Sequence, residues 1–309
     1  MIRRANRVHF DLTTLRLFEA TAESGAVTKA AERLALAPAA ASRRIADLEA
    51  QFGVALFERR PHGMALTDAG RALLAHARSM LHSAARMADD ASAFRQGGRG
   101  IVKIAACTSA VLQFLAEDVQ RCHDLHAGID IDLQELNSHG VMQALSRGVV
   151  DLGIYEASLG RLDFPTREYR EDRLVVVTTA DHALAERERV SLDDILGCDV
   201  IGLTEGSAIS ISLARLADAA DRALRMRIRV GSFDSMTAMI AARVGIGVMP
   251  EGVARVLAAG PRFRILPVEG EWAARQFLLC HRPVDSLSSS TLAVLDILAR
   301  QVSRDAKPA

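Results

Sequence analysis

The chain has 309 residues, of which 50% are hydrophobic and 25% charged, with 38 Lys and Arg balanced by 38 Asp and Glu. That mix excludes a disordered chain, which needs few apolar residues and a large net charge. No apolar run approaches the ~20 residues that span a bilayer, and no signal-peptide core follows the basic start at residues 1–7, so a cytoplasmic protein is expected. The neutral total hides an asymmetry. Residues 1–100 hold 15 Lys and Arg against 10 Asp and Glu, a net of +5, and the remainder carries −5. A basic first third and an acidic remainder point to two parts with different partners.

In chain order, the first elements are short helices. Leu12, Leu15 and Phe18 mark one apolar stripe, Ala30, Ala31 and Leu34 a second, and Leu36, Ala41, Ile45, Leu48 and Phe52 a third. Ser24-Gly25 and Gly53 stand where helices stop. Arg59-Arg60-Pro61-His62-Gly63 is turn-rich and Met64-Ala65-Leu66 reads as a short strand, a hairpin after three helices. Thr67 then caps a long helix with Asp68 in its first turn. Leu73, Ala77, Met80, Ala84, Met87, Ala91 and Phe94 follow at alternating four- and three-residue steps, a heptad seam. Its small residues invite close helix approach, so a coiled-coil dimer is expected rather than packing on the helix's own domain. Gly97-Gly98-Arg99-Gly100 marks the boundary to the next domain.

Beyond it strands and helices alternate. Strands are expected at residues 101–107, 129–133, 152–155, 174–179, 200–203, 228–230, 247–249, 263–266 and 277–280. Helices are expected at 109–125, 141–147, 210–223 and 290–302. That alternation predicts an open, doubly wound α/β sheet, and its length suits two lobes.

Two constellations carry chemistry. The second and third stripes form a helix-turn-helix, in which one helix enters the major groove and another steadies it. The third helix shows Pro38, Ala39, Ser42, Arg43 and Arg44. Pro38 fits its first turn; arginine can bond guanine or phosphate, and an alanine or proline surface can touch a thymine methyl. In the acidic half, Thr108-Ser109, Asn137-Ser138, Thr204-Glu205-Gly206-Ser207 and Asp234-Ser235 sit where strands give way to helices. Helix starts carry unpaired N–H groups that bind anions, and in open α/β sheets such turns gather at one edge.

Residues 12 to about 95 resemble the winged helix-turn-helix and linker helix of LysR-type transcriptional regulators. The resemblance rests on Ala30-Ala31-Glu32-Arg33-Leu34, Ser42-Arg43-Arg44-Ile45, Leu48-Glu49, Phe52-Gly53-Val54, Leu56-Phe57-Glu58-Arg59 and Leu66-Thr67-Asp68-Ala69-Gly70. Looser matches to the family's effector-binding half are residues 145–148, 151–154, 182–185 and 244–250. The resemblance implies an α/β architecture: a winged helix-turn-helix over 1–66, a dimerising linker helix and hinge over 67–100, and a two-lobed effector domain like a periplasmic binding protein over 101–303. Lobe I would hold 101–167 and 284–303, and lobe II 168–283. One departure stands out: where the family's recognition helix usually opens Ser-Gln-Pro-Ala, this row reads Ala37-Pro38-Ala39-Ala40. Base reading then falls on Arg43 and Arg44. Arg59 is expected on a phosphate, and for Thr28 a phosphate contact and a cap of its own helix stand open.

The resemblance also implies that the strand-to-helix turns of the acidic half line a cleft between the two lobes, and their anion-binding helix starts lead us to expect a small, anionic effector held there by Thr108, Ser109, Ser138 and Ser207. Operator DNA as partner, contact with RNA polymerase and a homodimer or homotetramer are expected with it, the pairing running along the heptad seam through Leu73, Ala77, Met80, Ala84 and Met87. No cofactor, metal or membrane partner is expected. The alternatives are a solute-binding protein, which lacks an export signal here, and a two-lobed enzyme, for which the chain shows no P-loop, Gly-x-Ser-x-Gly or Cys/His catalytic set. Cys107, Cys122, Cys198 and Cys280 lie far apart and read as free thiols; a redox role for Cys198 finds no second cysteine nearby in sequence. His123 and His126 lack further ligands, and Trp272 is a lone loop aromatic.

Overall fold

The structure, a computed structural model, describes residues 9–60, 63–95 and 100–299. The Pro61-His62 turn, the side chain of Phe94, Gly97-Gly98-Arg99 and residues 300–303 lie outside the described residues. The chain divides into two compact units that part after Ala91.

The first unit is α1 (Leu12–Ser24), α2 (Val27–Arg33), α3 (Pro38–Phe52), the hairpin β1 (Phe57–Arg60) and β2 (Gly63–Leu66), and α4 (Asp68–Arg95). The expected stripes meet in its core: Leu15, Phe18, Ala30, Ala31, Ala41, Ile45 and Leu48 are all buried, while Leu12 stays exposed. Asp11 caps α1 by accepting from the Thr14 backbone N–H, and Gly25 and Gly53 end α1 and α3 in left-handed conformation. The hairpin is tied down where the Met64 N–H donates to the Gly25 carbonyl at 2.8 Å. Thr67 does cap α4, its Oγ1 accepting from the Gly70 N–H at 2.9 Å. Gly70 allows the start of α4 to lie against the chain before the hairpin, since a Cβ there would stand 2.1 Å from the Leu56 carbonyl oxygen.

The expected seam of α4 needs correction. Leu74 and Ala77 are buried in the core of the first unit, with Leu73 and Leu81 packed against it. Arg78 adds an ion pair to Glu19 at 3.0 Å. Ala77 therefore faces its own domain, and the head does not end at residue 66. Further along, Met80 and Met87 are 39% and 71% exposed.

In the second unit, β3 (Gly100–Cys107) feeds one continuous helix: α5 (Thr108–Ala110), a π turn over Val111–Leu115, and α6 (Ala116–Leu125). Then come β4 (Ile129–Leu136), α7 (Ser138–Ser146), β5 (Leu152–Glu156) and the 14-residue β6 (Thr166–Thr179). They are followed by α8 (Leu192–Leu196), β7 (Val200–Leu203), α9 (Ala208–Ala219), β8 (Met226–Val230), α10 (Phe233–Ala241), β9 (Ile246–Pro250), α11 (Glu251–Leu257), β10 (Phe263–Pro267), β11 (Ala274–His281) and α12 (Ser289–Ala299). The strand order is β4-β3-β5-β11-β6-β9-β7-β8, with β10 also on β6.

Strand β6 crosses between the lobes. Its first half, through Arg173, pairs with β11, and from Leu174 it pairs with β9 and β10. Strand β11 also pairs with β5 over Leu152–Glu156, so it belongs to lobe I. The lobes therefore change at about 173/174 and again before Ala274, not at 167/168 and 283/284. The sequence concealed this because the first half of β6, Thr166–Arg173, is densely charged and shows no apolar alternation. Its side chains are held by ion pairs and hydrogen bonds: the buried Tyr169 hydroxyl donates to Asp118 at 2.6 Å, and Arg170 pairs with the same carboxylate at 3.0 Å.

Candidate functional site

Two surfaces gather groups suited to recognition, one in each unit. On α3 the buried residues Ala41, Ile45 and Leu48 point inward, which turns Ala39, Arg43, Ala46 and Ala50 outward, with Ser42 and Asp47 beside them. Pro38 begins the helix. The Arg43 side chain is 86% exposed, and among the described residues its one ion-pair partner is Asp47 at 4.0 Å. Arg44 lies elsewhere. Its Nη1 donates to Asp11 at 2.9 Å and to Thr14 Oγ1 at 2.8 Å, which pins it to the start of α1. The expectation that both arginines share the outward face is corrected for this reason. That pairing, with the cap bonds from Thr14, lowers the Asp11 carboxyl to a pKa of about 2. Thr28 is the second residue of α2, exposed, and its hydroxyl makes no hydrogen bond among the described residues; the residue before the helix is Ala26, so Thr28 does not act as its cap. Arg59 is exposed on β1.

The second surface is a cavity of about 50 Å³ between the lobes. Thr108, Ser109, Ser138 and Ser207 all line it, together with Cys107, Asn137, Glu156, Thr204, Ser232, Phe233 and Arg275. The topology explains the meeting: β3, β4 and β7 deliver their carboxyl ends and the following helix starts to one edge, as expected of parallel strands. Two of these helix starts are closed by their own side chains, α7 by Asn137 and α10 by Ser232. The other two are not: neither the start of the α5–α6 helix nor that of α9, preceded by Ser207, has a side-chain cap. The hydroxyls of Thr108, Ser109 and Ser207 make no hydrogen bond among the described residues, although Ser109 is only 8% exposed. Ser138 Oγ accepts from the Glu156 N–H at 3.3 Å. Burial pushes the Cys107 thiol up, so it stays protonated. The fourth expected turn is displaced: Ser232 and Phe233, not Asp234 and Ser235, reach the cavity.

The lobes touch at the rim. Asn137 Nδ2 donates to the Glu205 carbonyl at 3.0 Å, and Arg215 donates to the Ser158 carbonyl at 3.2 Å. Gly206 is required there: its φ is +85°, and a Cβ would stand 2.5 Å from Asn137 Nδ2. On the two crossing strands, Asp172 and Arg275 face each other and form a bidentate pair, both side chains 5% exposed, with Gln113 donating to Asp172 at 2.7 Å. Sequence reasoning missed Glu156 and Arg275. Glu156 had a signal, a carboxylate ending the apolar run Leu152–Tyr155.

Comparison with known proteins decides the family. Residues 12–71 match the model of the bacterial regulatory helix-turn-helix protein, lysR family, and residues 95–303 match the LysR substrate binding domain. The chain belongs to the LysR family of transcriptional regulators. Among LysR relatives, the "RuBisCO operon transcriptional regulator" of Allochromatium vinosum is 26% identical over 96% of this chain and 98% of its own. Among solved structures, the LysR family regulator CbnR matches with a TM-score of 0.62 at 20% identity, over 97% of this chain and 100% of that one. Full-length CbnR complexed with its target DNA matches with 0.59 at 21% identity, over 94% and 99%. As a LysR regulator the protein has a DNA-binding helix-turn-helix and a separate ligand-binding unit.

The remaining features stay structural. Cys198 is half-buried, and burial, followed by the nearby Asp194 carboxylate, raises its thiol pKa. Trp272 packs against the core of lobe II. Among the described residues no His/Cys/Asp/Glu group could hold a metal ion, and no helix is long and apolar enough to cross a membrane.

Proposed function

We propose that this LysR regulator binds duplex DNA through the outward face of α3, and that a small polar effector between the lobes modulates that binding. Arg43 reads base edges, Pro38 and Ala39 lie against thymine methyls, and Ser42, Thr28 and Arg59 contact the backbone. Arg44 acts indirectly by holding α3 to α1. Thr108, Ser109, Ser138 and Ser207 hold the effector. Closure of the lobes on it shifts an equilibrium between two subunit arrangements, as a coupling between sites requires. The protein acts in the cytoplasm as a homodimer or homotetramer. The exposed Met80 and Met87 on α4 support pairing along that helix, and pairing would space two heads on a promoter where RNA polymerase binds.

The observation that carries the reading is the small-residue surface of α3 with one arginine extended from it, whose ion-pair partner among the described residues is the exposed Asp47 on its own helix, 4.0 Å away. Anisotropy titration of the duplex upstream of the protein's own gene, across a salt series, tests it. Wild type binds with a steep inverse salt dependence, and Arg59→Ala lowers the slope of log K against log salt by about one. A monomer indifferent to that duplex at low ionic strength overturns the reading.

A further inference from the structure

We infer that the interlobe cavity is built for a zwitterion: a short acid bearing an ammonium group, whose nitrogen pairs with Glu156. The inference rests on the reading of that cavity as the effector site and names the class of molecule that fills it.

Glu156 ends β5, lines the cavity and is 4% exposed. Among the described residues its side-chain oxygens accept only from Ser158, through the backbone N–H at 3.0 Å and the hydroxyl. Among the described residues no cation pairs with it. Buried charges in folded proteins are otherwise paired. The cation on the cavity wall, Arg275, does not serve, because Asp172 already holds its guanidinium in a bidentate bond.

The rest of the wall has the opposite character. Ser109 and Ser207 present hydroxyls without partners beside two uncapped helix starts, one from each lobe. Each start carries a partial positive charge. A bare carboxylate suits the helix starts and leaves Glu156 opposing it. A bare amine pairs Glu156 and leaves the helix starts empty. One molecule with both groups satisfies both walls and adds no net charge. The space, about 50 Å³ with the lobes in contact, is that of roughly four water-sized groups, so the carbon chain is short.

Calorimetry on the full-length protein tests this with matched probes. Glycine, alanine, β-alanine and 4-aminobutyrate are compared with the acids lacking the amine (acetate, propionate, butyrate) and the amines lacking the acid (methylamine, ethylamine, propylamine). At least one zwitterion is expected to bind tenfold or more tightly than either matched half. Glu156→Gln keeps an oxygen for Ser158 and removes the charge. It is expected to weaken that zwitterion at least tenfold while the matched acid binds no worse than to wild type, which also shows the cavity is folded. If the variant fails to fold, the wild-type ranking alone decides.

An acid that binds as tightly as its aminated counterpart overturns the proposal, as does failure of every zwitterion to bind. Ser109→Ala separates the two levels. If it weakens the acids that do bind, the cavity remains the effector site and only the ammonium pairing falls. If bound ligands ignore it, or nothing in the panel binds, the effector-site reading falls as well.

Discussion

The two recognition surfaces treat their polar groups in opposite ways. On α3, Arg43 stands in water at 86% exposure, and its neighbours on the helix face are small. A hydrated arginine costs nothing to leave unpaired, so its freedom alone says little; its place on one face of a helix says more. In the interlobe cavity, Ser109, Ser138, Glu156 and Arg275 are each less than one-tenth exposed and come from distant segments. These four have lost water, so a buried group among them left without a partner identifies what is missing. The head is thus read from which groups extend outward, and the cavity from which remain unsatisfied.

Substitutions that break this contrast have effects of decreasing size. The largest is expected at the crossing strands. Arg275→Ala leaves Asp172 charged and buried without its partner, a loss of about 3–5 kcal/mol. The melting transition of the second unit should fall on the order of 10 °C in calorimetric scans. Next is Gly70→Ala, whose added methyl meets the Leu56 carbonyl oxygen; it should destabilise the head by about 1–3 kcal/mol in urea titrations. By contrast Arg43→Ala should leave the melting of either unit within about 0.5 kcal/mol while costing about 1–3 kcal/mol of discrimination between operator and mutated operator in competition binding. The smallest effect concerns Asp11. Its carboxyl pKa is depressed to about 2 by Arg44 and the α1 cap. Its contribution to head stability is therefore complete above the ordinary carboxylate value near 4 and is lost as the pH falls from about 4 to about 2. Acid unfolding followed by circular dichroism should show Arg44→Ala and wild type converging at pH 2 and separating above pH 4.

Much of this was legible in the sequence wherever one local element holds the signal. The stripes through Phe18, Ala31, Ile45 and Leu48, the Gly25 and Gly53 stops, the Thr67 cap and the strand-to-helix turns carrying Thr108, Ser109, Ser138 and Ser207 all follow from spacing within a few residues. What escaped depends on distant pairing. The charged first half of β6 is a strand because β11 pairs with it, and β11 lies in lobe I because β5 does the same. Arg44 looks like Arg43 until Asp11, 33 residues away, takes its Nη1. Ala77 fits a heptad seam until α1 and the other helices of its own unit cover it.

The two adjacent arginines divide the labour, Arg43 toward the DNA and Arg44 toward α1. Selection of bound sequences from a random duplex pool by wild type, Arg43→Ala and Arg44→Ala measures it directly. Arg43→Ala is expected to erase sequence preference at one or more positions of each half-site, while Arg44→Ala returns the wild-type sequence at lower yield. Loss of preference with Arg44→Ala and its retention with Arg43→Ala would contradict it.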